Sequence, residues 1–169
     1  MRRVVTGHRN GKSVILDDAE IPAQDIGVGE IARLWKTDGI PTIPLEERDL
    51  KEHLPTRMPK PGETLVWVWV YTPDEEFFKK AKENGVDVVG EWRKRSGDDF
   101  GMHTTDTIDY DIILSGEFWM EVDDGAEVHL KPFDCVVQNG TRHAWRNRSS
   151  KNCIMLSVLI GAKRKKSTK

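Results

Sequence analysis

Residues 101–117, GMHTTDTIDYDIILSGE, and residues 138–147, QNGTRHAWRN, decide how this chain is read. Side chains alternate between the two faces of an extended strand, so His103 and Asp109 share a face, with Thr105 between them. His143 has to arrive from another strand. Between the two segments, EFWMEV, DDG and AEVHL read as strand, turn and strand, a hairpin that folds one segment onto the other. Two histidines and a carboxylate at these spacings can converge on one metal ion inside a small β-barrel.

Working outward, the strand-like runs are RRVVTG, SVILDD, GEIARLWKTD, ETLVWVWVY, VDVVGEW, IDYDIILSG, EFWMEV, AEVHL, DCVVQ, HAWRN and NCIMLSVLIG. They are short and punctuated by Gly, Asp and Asn, which predicts an antiparallel barrel or sandwich. In residues 65–71 Val66, Val68 and Val70 face one way and Trp67, Trp69 and Tyr71 the other. Both faces are therefore expected to be covered, one of them by a partner subunit. One helix is expected after Thr72, with Pro73 in its first turn, a Thr72–Glu75 capping box, Gly85 as the stop, and Phe77 and Phe78 docked on the barrel. Residues 38–62 hold five of the eight prolines and no sustained period, so they read as an arm or lid with one helical turn at LEERDLKEHL. The expected organisation is N-terminal strands and arm over 1–62, a barrel over 63–162 and a basic disordered tail over 163–169.

The 169 residues carry 32% charged side chains and a net charge of −2, which gives no nucleic-acid footprint. Lys163, Arg164, Lys165, Lys166 and Lys169 form the one single-sign cluster and read as a solvated tail. Cys135 and Cys153 sit in apolar runs without a Cys-x-x-Cys pair, so both are expected to be buried, reduced thiols. No run approaches the length of a membrane span and no apolar segment follows the N-terminal arginines. A cytoplasmic protein without membrane or nucleic-acid partners is expected.

These residues resemble the cupins, double-stranded β-helix barrels with the motifs Gly-x5-His-x-His-x3-4-Glu-x6-Gly and Gly-x5-Pro-x-Gly-x2-His-x3-Asn. The first motif places His103 and Thr105 at the two histidines, Asp109 at the glutamate and Gly116 at the closing glycine. The second places Gln138 at the proline, followed by Gly140, His143 and Asn147. The resemblance covers about residues 100–160 and implies a mainly β cupin barrel with an N-terminal extension and one or two short helices. It also implies a homodimer formed through N-terminal strands.

Two departures bear on chemistry: Thr105 replaces a histidine, and Asp109 replaces a glutamate. The resemblance then implies His103, Asp109 and His143 as ligands of a divalent metal, Fe(II) or Zn first and Ni or Mn next, in a two-histidine, one-carboxylate set with open positions. The expected function is a metal-dependent enzyme acting on a small organic acid, enol or aromatic intermediate. Oxygenase chemistry comes first; a decarboxylase, dehydratase or isomerase on the same site is the alternative. Asp109, or a free Asp106, is the candidate general base. Thr105 is the candidate hydrogen-bond donor to substrate or metal-bound water.

Gln138 and Asn147 are candidates to orient the substrate or a histidine. Tyr110 and Trp145 are expected to pack the outer sheet or a dimer interface. Asp106 and Asp111 read as solvated, and His8, His53 and His129 as surface residues. Two alternatives stay open. One is a metal-free small-ligand-binding barrel, in which His103 and His143 are hydrogen-bonded pocket residues; the other is a metal-free isomerase with a histidine base and a tyrosine acid.

Overall fold

A computed structural model describes residues 1–46, 50, 55 and 58–165. His53 and most of the turn expected at LEERDLKEHL lie outside the described residues. The strands in chain order are β1 (Arg2–Arg9), β2 (Lys12–Glu20), β3 (Gln24–Asp25), β4 (Gly29–Thr37), β5 (Thr64–Tyr71), β6 (Thr107–Ser115), β7 (Phe118–Val122), β8 (Glu127–Leu130), β9 (Cys135–Gln138), β10 (His143–Arg146) and β11 (Cys153–Gly161). Two helices, α1 (Asp74–Glu83) and α2 (Val88–Ser96), stand between β5 and β6. The chain is thus mainly β, as its period-2 runs predict.

A six-stranded sheet runs β3-β4-β5-β11-β6-β9 and faces a three-stranded sheet β10-β7-β8; β1 and β2 form a separate hairpin. Each strand pair is antiparallel. The division expected near residue 62 is not a division of the sheet, because β4 pairs with β5 from Gly29↔Tyr71 to Thr37↔Thr64. The DDG turn joins β7 to β8 in the register Phe118↔Leu130 to Glu121↔Glu127.

Register fixes what faces inward. Rows such as Trp67↔Ser157↔Asp111 and Leu65↔Leu159↔Asp109 cross β5, β11 and β6 on the inner face. At one end that face is apolar: Ile113, Phe118, Leu130, Cys153 and Met155 form a buried cluster. Phe118 is 1% exposed and stacks on Trp145 at 5.2 Å; burying such a ring contributes roughly 2–3 kcal/mol. The other end is polar and holds the candidate site.

Of the two β5 faces expected to be covered, the one carrying Trp67, Trp69 and Tyr71 lines the interior of this barrel. Cys153 is buried as expected, but Cys135 is exposed, because its parity on β9 points it outward opposite Ile112. The run VDVVGEW, expected as a strand, is the start of α2. Asp87 caps this helix by accepting from Gly90 N at 2.9 Å, and Gly97 closes it with φ 74°. Local caps and a basic last turn of Arg93, Lys94 and Arg95 outweigh the β preference of the valines.

Helix α1 begins without the Thr72–Glu75 box; Pro73 occupies its N-cap and no side chain caps it. The first helical amide, Asp74 N, donates instead to Asn147 O at 2.8 Å. Phe77 and Phe78 pack on Phe100, at 5.8 and 5.1 Å, and Phe77 lines the barrel cavity. Among the described residues no helix is long and apolar enough to cross a membrane.

Candidate functional site

His103 precedes β6 and forms an isolated bridge with the first residue of β10, His143. Each backbone N–H donates to the other's carbonyl at 2.9 Å, which sets the two imidazoles side by side with ring centroids 4.4 Å apart. Both rings are oriented by backbone: His103 Nδ1 lies 2.7 Å from Gly101 O and His143 Nδ1 lies 2.9 Å from Thr141 O. A carbonyl only accepts, so Nδ1 carries the proton in each ring and Nε2 keeps its lone pair. That is the tautomer a metal ion or a substrate proton requires. Burial pushes the His143 imidazole below its ordinary range, and His103 adds to this against the Thr141 carbonyl; the neutral ring is favoured.

Positions 103, 105, 107, 109 and 111 alternate onto one face, and β6 carries Asp109 and Asp111 into the barrel, 6% and 4% exposed. Asp109 Oδ1 is buried without a hydrogen-bond partner. Burial raises its carboxyl, against the Thr107 hydroxyl and the nearby His103. Asp111, expected to be solvated, is pushed up to about 7 by burial and by Asp109, with the adjacent Ser157 hydroxyl opposing. The signal for it was the shared parity with His103 and Asp109. Asp106, of the opposite parity, is exposed and pairs with Arg164 Nε at 2.6 Å.

These groups form the floor of a cavity of about 910 Å³. Its walls are aromatic, with Trp67, Trp69 and Tyr71 from β5 and Trp145 from β10. Trp145 was expected outside, yet it lies two residues from His143 and so shares its face. Phe77 of α1, Trp92 of α2 and Phe100 close the rim, with Trp92 and Phe100 5.8 Å apart. Tyr110 does face outward, 42% exposed. Burial holds the Tyr71 phenol well above its ordinary value, so it stays protonated.

Thr105 lines the cavity, and its hydroxyl oxygen accepts from Thr107 Oγ1 at 2.8 Å. Gln138 is buried opposite Asp109 but is not among the lining residues; its Oε1 accepts from Thr141 N and Oγ1 at 3.0 and 2.6 Å. It therefore holds the turn that carries His143. Asn147 likewise serves backbone, donating to Tyr71 O and Lys151 O at 3.0 and 2.9 Å. His8 and His129 are exposed; His129 stacks on Trp119 and meets Glu117.

Two arginines brace the floor. Arg142 reaches Asp98 through Nε at 2.8 Å and also through Nη2, tying the end of α2 to the residue before His143; this pairing holds the Asp98 carboxyl down at about 2. Arg164, expected in a solvated tail, donates to Thr105 O at 2.8 Å and Gly140 O at 3.3 Å. It thereby links the two motif loops.

The donor set suits a divalent ion in kind: two imidazoles with free Nε2 atoms and a carboxylate oxygen lacking a partner. Among the described residues, no three His, Cys, Asp or Glu side chains are grouped closely enough to hold an ion as they stand.

No family model matches the chain. Phomopsin biosynthesis cluster protein C' of Diaporthe leptostromiformis is 47% identical over 55 residues, 32% of this chain and 29% of that protein. A protein named cupin-domain-containing oxidoreductase fogC, of Aspergillus ruber, is 34% identical over 62 residues, 35% of this chain and 30% of the relative. The chain thus matches less than a third of the length of these curated relatives. A solved Cupin 2 conserved barrel domain protein from Salinispora arenicola aligns over 83% of this chain and 82% of its own, at 16% identity and a TM-score of 0.45. Within the chain itself, both motif segments lie on the facing walls of one antiparallel barrel and meet at the His103–His143 bridge. The fold is the cupin barrel. In this barrel the glycines of the motifs are used for close approach: at Gly140, with φ +62°, a Cβ would lie 2.8 Å from Thr105 O, and at Gly116, with φ +79°, 2.5 Å from Asn152 O.

Proposed function

We propose that this cupin is a metal-dependent enzyme acting on a planar, largely apolar aromatic or enolic intermediate, with His103, His143 and Asp109 holding a divalent ion. The observation that carries this is the pair of backbone-oriented imidazoles beside an unpartnered carboxylate oxygen, at the floor of an aromatic-walled cavity. Such an ion supplies either activation of dioxygen, if it is Fe(II), or polarisation of a carbonyl, if it is Zn, Ni or Mn. The cavity, about 910 Å³, is at the upper end of the ~300–1,000 Å³ usual for ligand sites, so it suits a multi-ring substrate better than a two- or three-carbon acid. Trp67, Trp69 and Trp145 bind and orient its flat faces. Trp92 and Phe100 at the rim exclude water. Asp111, raised to about 7, would take or return a proton on a substrate seated in the cavity, and Thr105, which lines the same cavity, would orient a substrate oxygen there. The relative named as an oxidoreductase supports the redox branch, and the biosynthesis-cluster relative supports a small-molecule intermediate as substrate.

A second reading, a metal-free acid–base enzyme using Asp111 and the His103 imidazole, is favoured by the ungrouped donors. Elemental analysis of protein made without chelator or metal-affinity tag, beside His143→Ala, separates the two. Close to one equivalent of metal in the parent, lost in the variant, is the expected result. No metal retained after anaerobic reconstitution with Fe(II), Zn, Ni and Mn would overturn the metal reading.

A further inference from the structure

The aromatic walls of the cavity explain how a flat substrate is gripped, but an aromatic wall does not select which end of it enters first. Charge does. The floor is acidic, with Asp109 and Asp111 buried there. Among the described residues two formal cations line the cavity, Arg146 and Arg95. Arg146 is already paired, its Nε donating to Glu121 Oε2 at 3.0 Å. Arg95, in the last turn of α2, is exposed and has no ion pair among the described residues.

The Arg95 side chain is nonetheless held in place. Its Cζ lies over the Trp92 ring, 5.1 Å from the centroid, and Trp92 stands edge-on to Phe100 at 5.8 Å. A guanidinium stacked on an indole has one face covered and keeps its in-plane N–H donors for a ligand. The helix dipole favours a basic last turn in general, and Arg93 and Lys94 answer to it as well as Arg95 does. Arg93 turns to Asp99 at 3.5 Å; of the three, Arg95 alone lines the cavity. Glu91, one helical turn earlier, lines it too, and no ion pair joins it to Arg95.

We propose that Arg95 is a specificity-determining residue: it selects substrates that carry one carboxylate remote from the reacting atoms, and so fixes which end enters the barrel. A carboxylate matches the planar fork of a guanidinium in a bidentate pair. A doubly charged phosphate calls for more positive charge than one arginine beside Glu91 supplies. Asp109 and Asp111 disfavour a further negative charge at the floor. The carboxylate therefore stays at the rim with Arg95, and the uncharged rings pass down between the tryptophans toward His103 and His143. The substrate class narrows to an aromatic or enolic monoacid. This rests on the reading of the cavity as a substrate site and not on which ion the floor holds.

Isothermal titration calorimetry with a naphthalene carboxylate and its neutral carboxamide, nearly equal in shape, tests this without requiring turnover. The proteins are the parent as purified, Arg95→Gln, Arg95→Lys, Glu91→Gln and His143→Ala. The parent is expected to bind the carboxylate about tenfold more tightly than the carboxamide. Arg95→Gln brings the two within about twofold by weakening the carboxylate alone, while its circular dichroism and melting temperature stay those of the parent. Arg95→Lys keeps part of the preference, Glu91→Gln widens it, and His143→Ala leaves it unchanged. A parent with no preference, a preference that survives Arg95→Gln, or a parent that binds neither compound at its solubility limit overturns the proposal. A preference lost in His143→Ala and kept in Arg95→Gln overturns it as well, because the carboxylate then sits at the floor. A parent that holds no metal yet shows the Arg95-dependent preference sinks the metal reading and leaves this one standing.

Discussion

Replacing Asp111 by asparagine is expected to stabilise the protein above neutral pH and to do little in acid. In the folded chain this carboxyl ionises at about 7, against 3.8 for an ordinary aspartate, because it is buried beside Asp109. Below pH 4 it is protonated in both states and contributes nothing to the pH dependence. Between pH 4 and 7 the unfolded chain releases the proton first, so the folded state loses stability as pH rises, and the loss levels off above 7. At 1.36 kcal/mol per pH unit the full penalty is about 4 kcal/mol. The asparagine amide still needs partners in the same buried place, which reduces the expected gain at pH 8 to about 2–3 kcal/mol, or roughly 5–10 °C for a domain of this size. His143 titrates with the opposite sign, since its lowered folded value costs stability as pH falls, but it is present in both proteins and cancels in the difference. Urea unfolding of both proteins at pH 4.5, 6 and 8, in the presence of chelator, measures this. A difference that stays constant from pH 5 to 8, or a variant less stable than the parent at pH 8, refutes the reasoning.

Asn147→Ala removes donors to Tyr71 O and Lys151 O and the acceptor for Ser149 at a site 1% exposed; a loss of about 2–4 kcal/mol is expected by urea unfolding, with the start of α1 loosened in hydrogen exchange. Gly140→Ala places a Cβ 2.8 Å from Thr105 O at φ +62° and is expected to cost about 1–3 kcal/mol, read from thermal melts. In dilute native protein a thiol reagent is expected to label Cys135 and to spare Cys153, whose thiol is buried and pushed up to about 12; peptide mass mapping with and without urea distinguishes them.

The strands and the β7–β8 hairpin were legible in the sequence because period-2 alternation and turn residues are local signals. The placement of His103 and His143 on facing segments followed from the two motifs. What failed did so for identifiable reasons. The valines of residues 86–89 signalled a strand, whereas Asp87 and Gly97 cap a helix. Trp145 was set outside, although two residues from His143 means the same face, and the same rule brings Asp111 inside with Asp109. Cys135 looked buried from its neighbours, yet apolar neighbours on a strand lie on both faces. Arg142 and Arg164 carried no local signal at all, because their partners, Asp98, Thr105 and Gly140, are distant in sequence.

The bridge between His103 and His143 is made of peptide groups, so the frame of the site does not depend on the rings it holds. Trimming either imidazole to a glycine leaves a socket of known shape at the floor of the cavity, with the former Nδ1 acceptor, Gly101 O or Thr141 O, still in place. Free imidazole, or a substituted azole of different basicity, can then be supplied from solution to fill it. The chemistry of the floor becomes exchangeable by titration, one ring at a time, without altering the barrel that presents it.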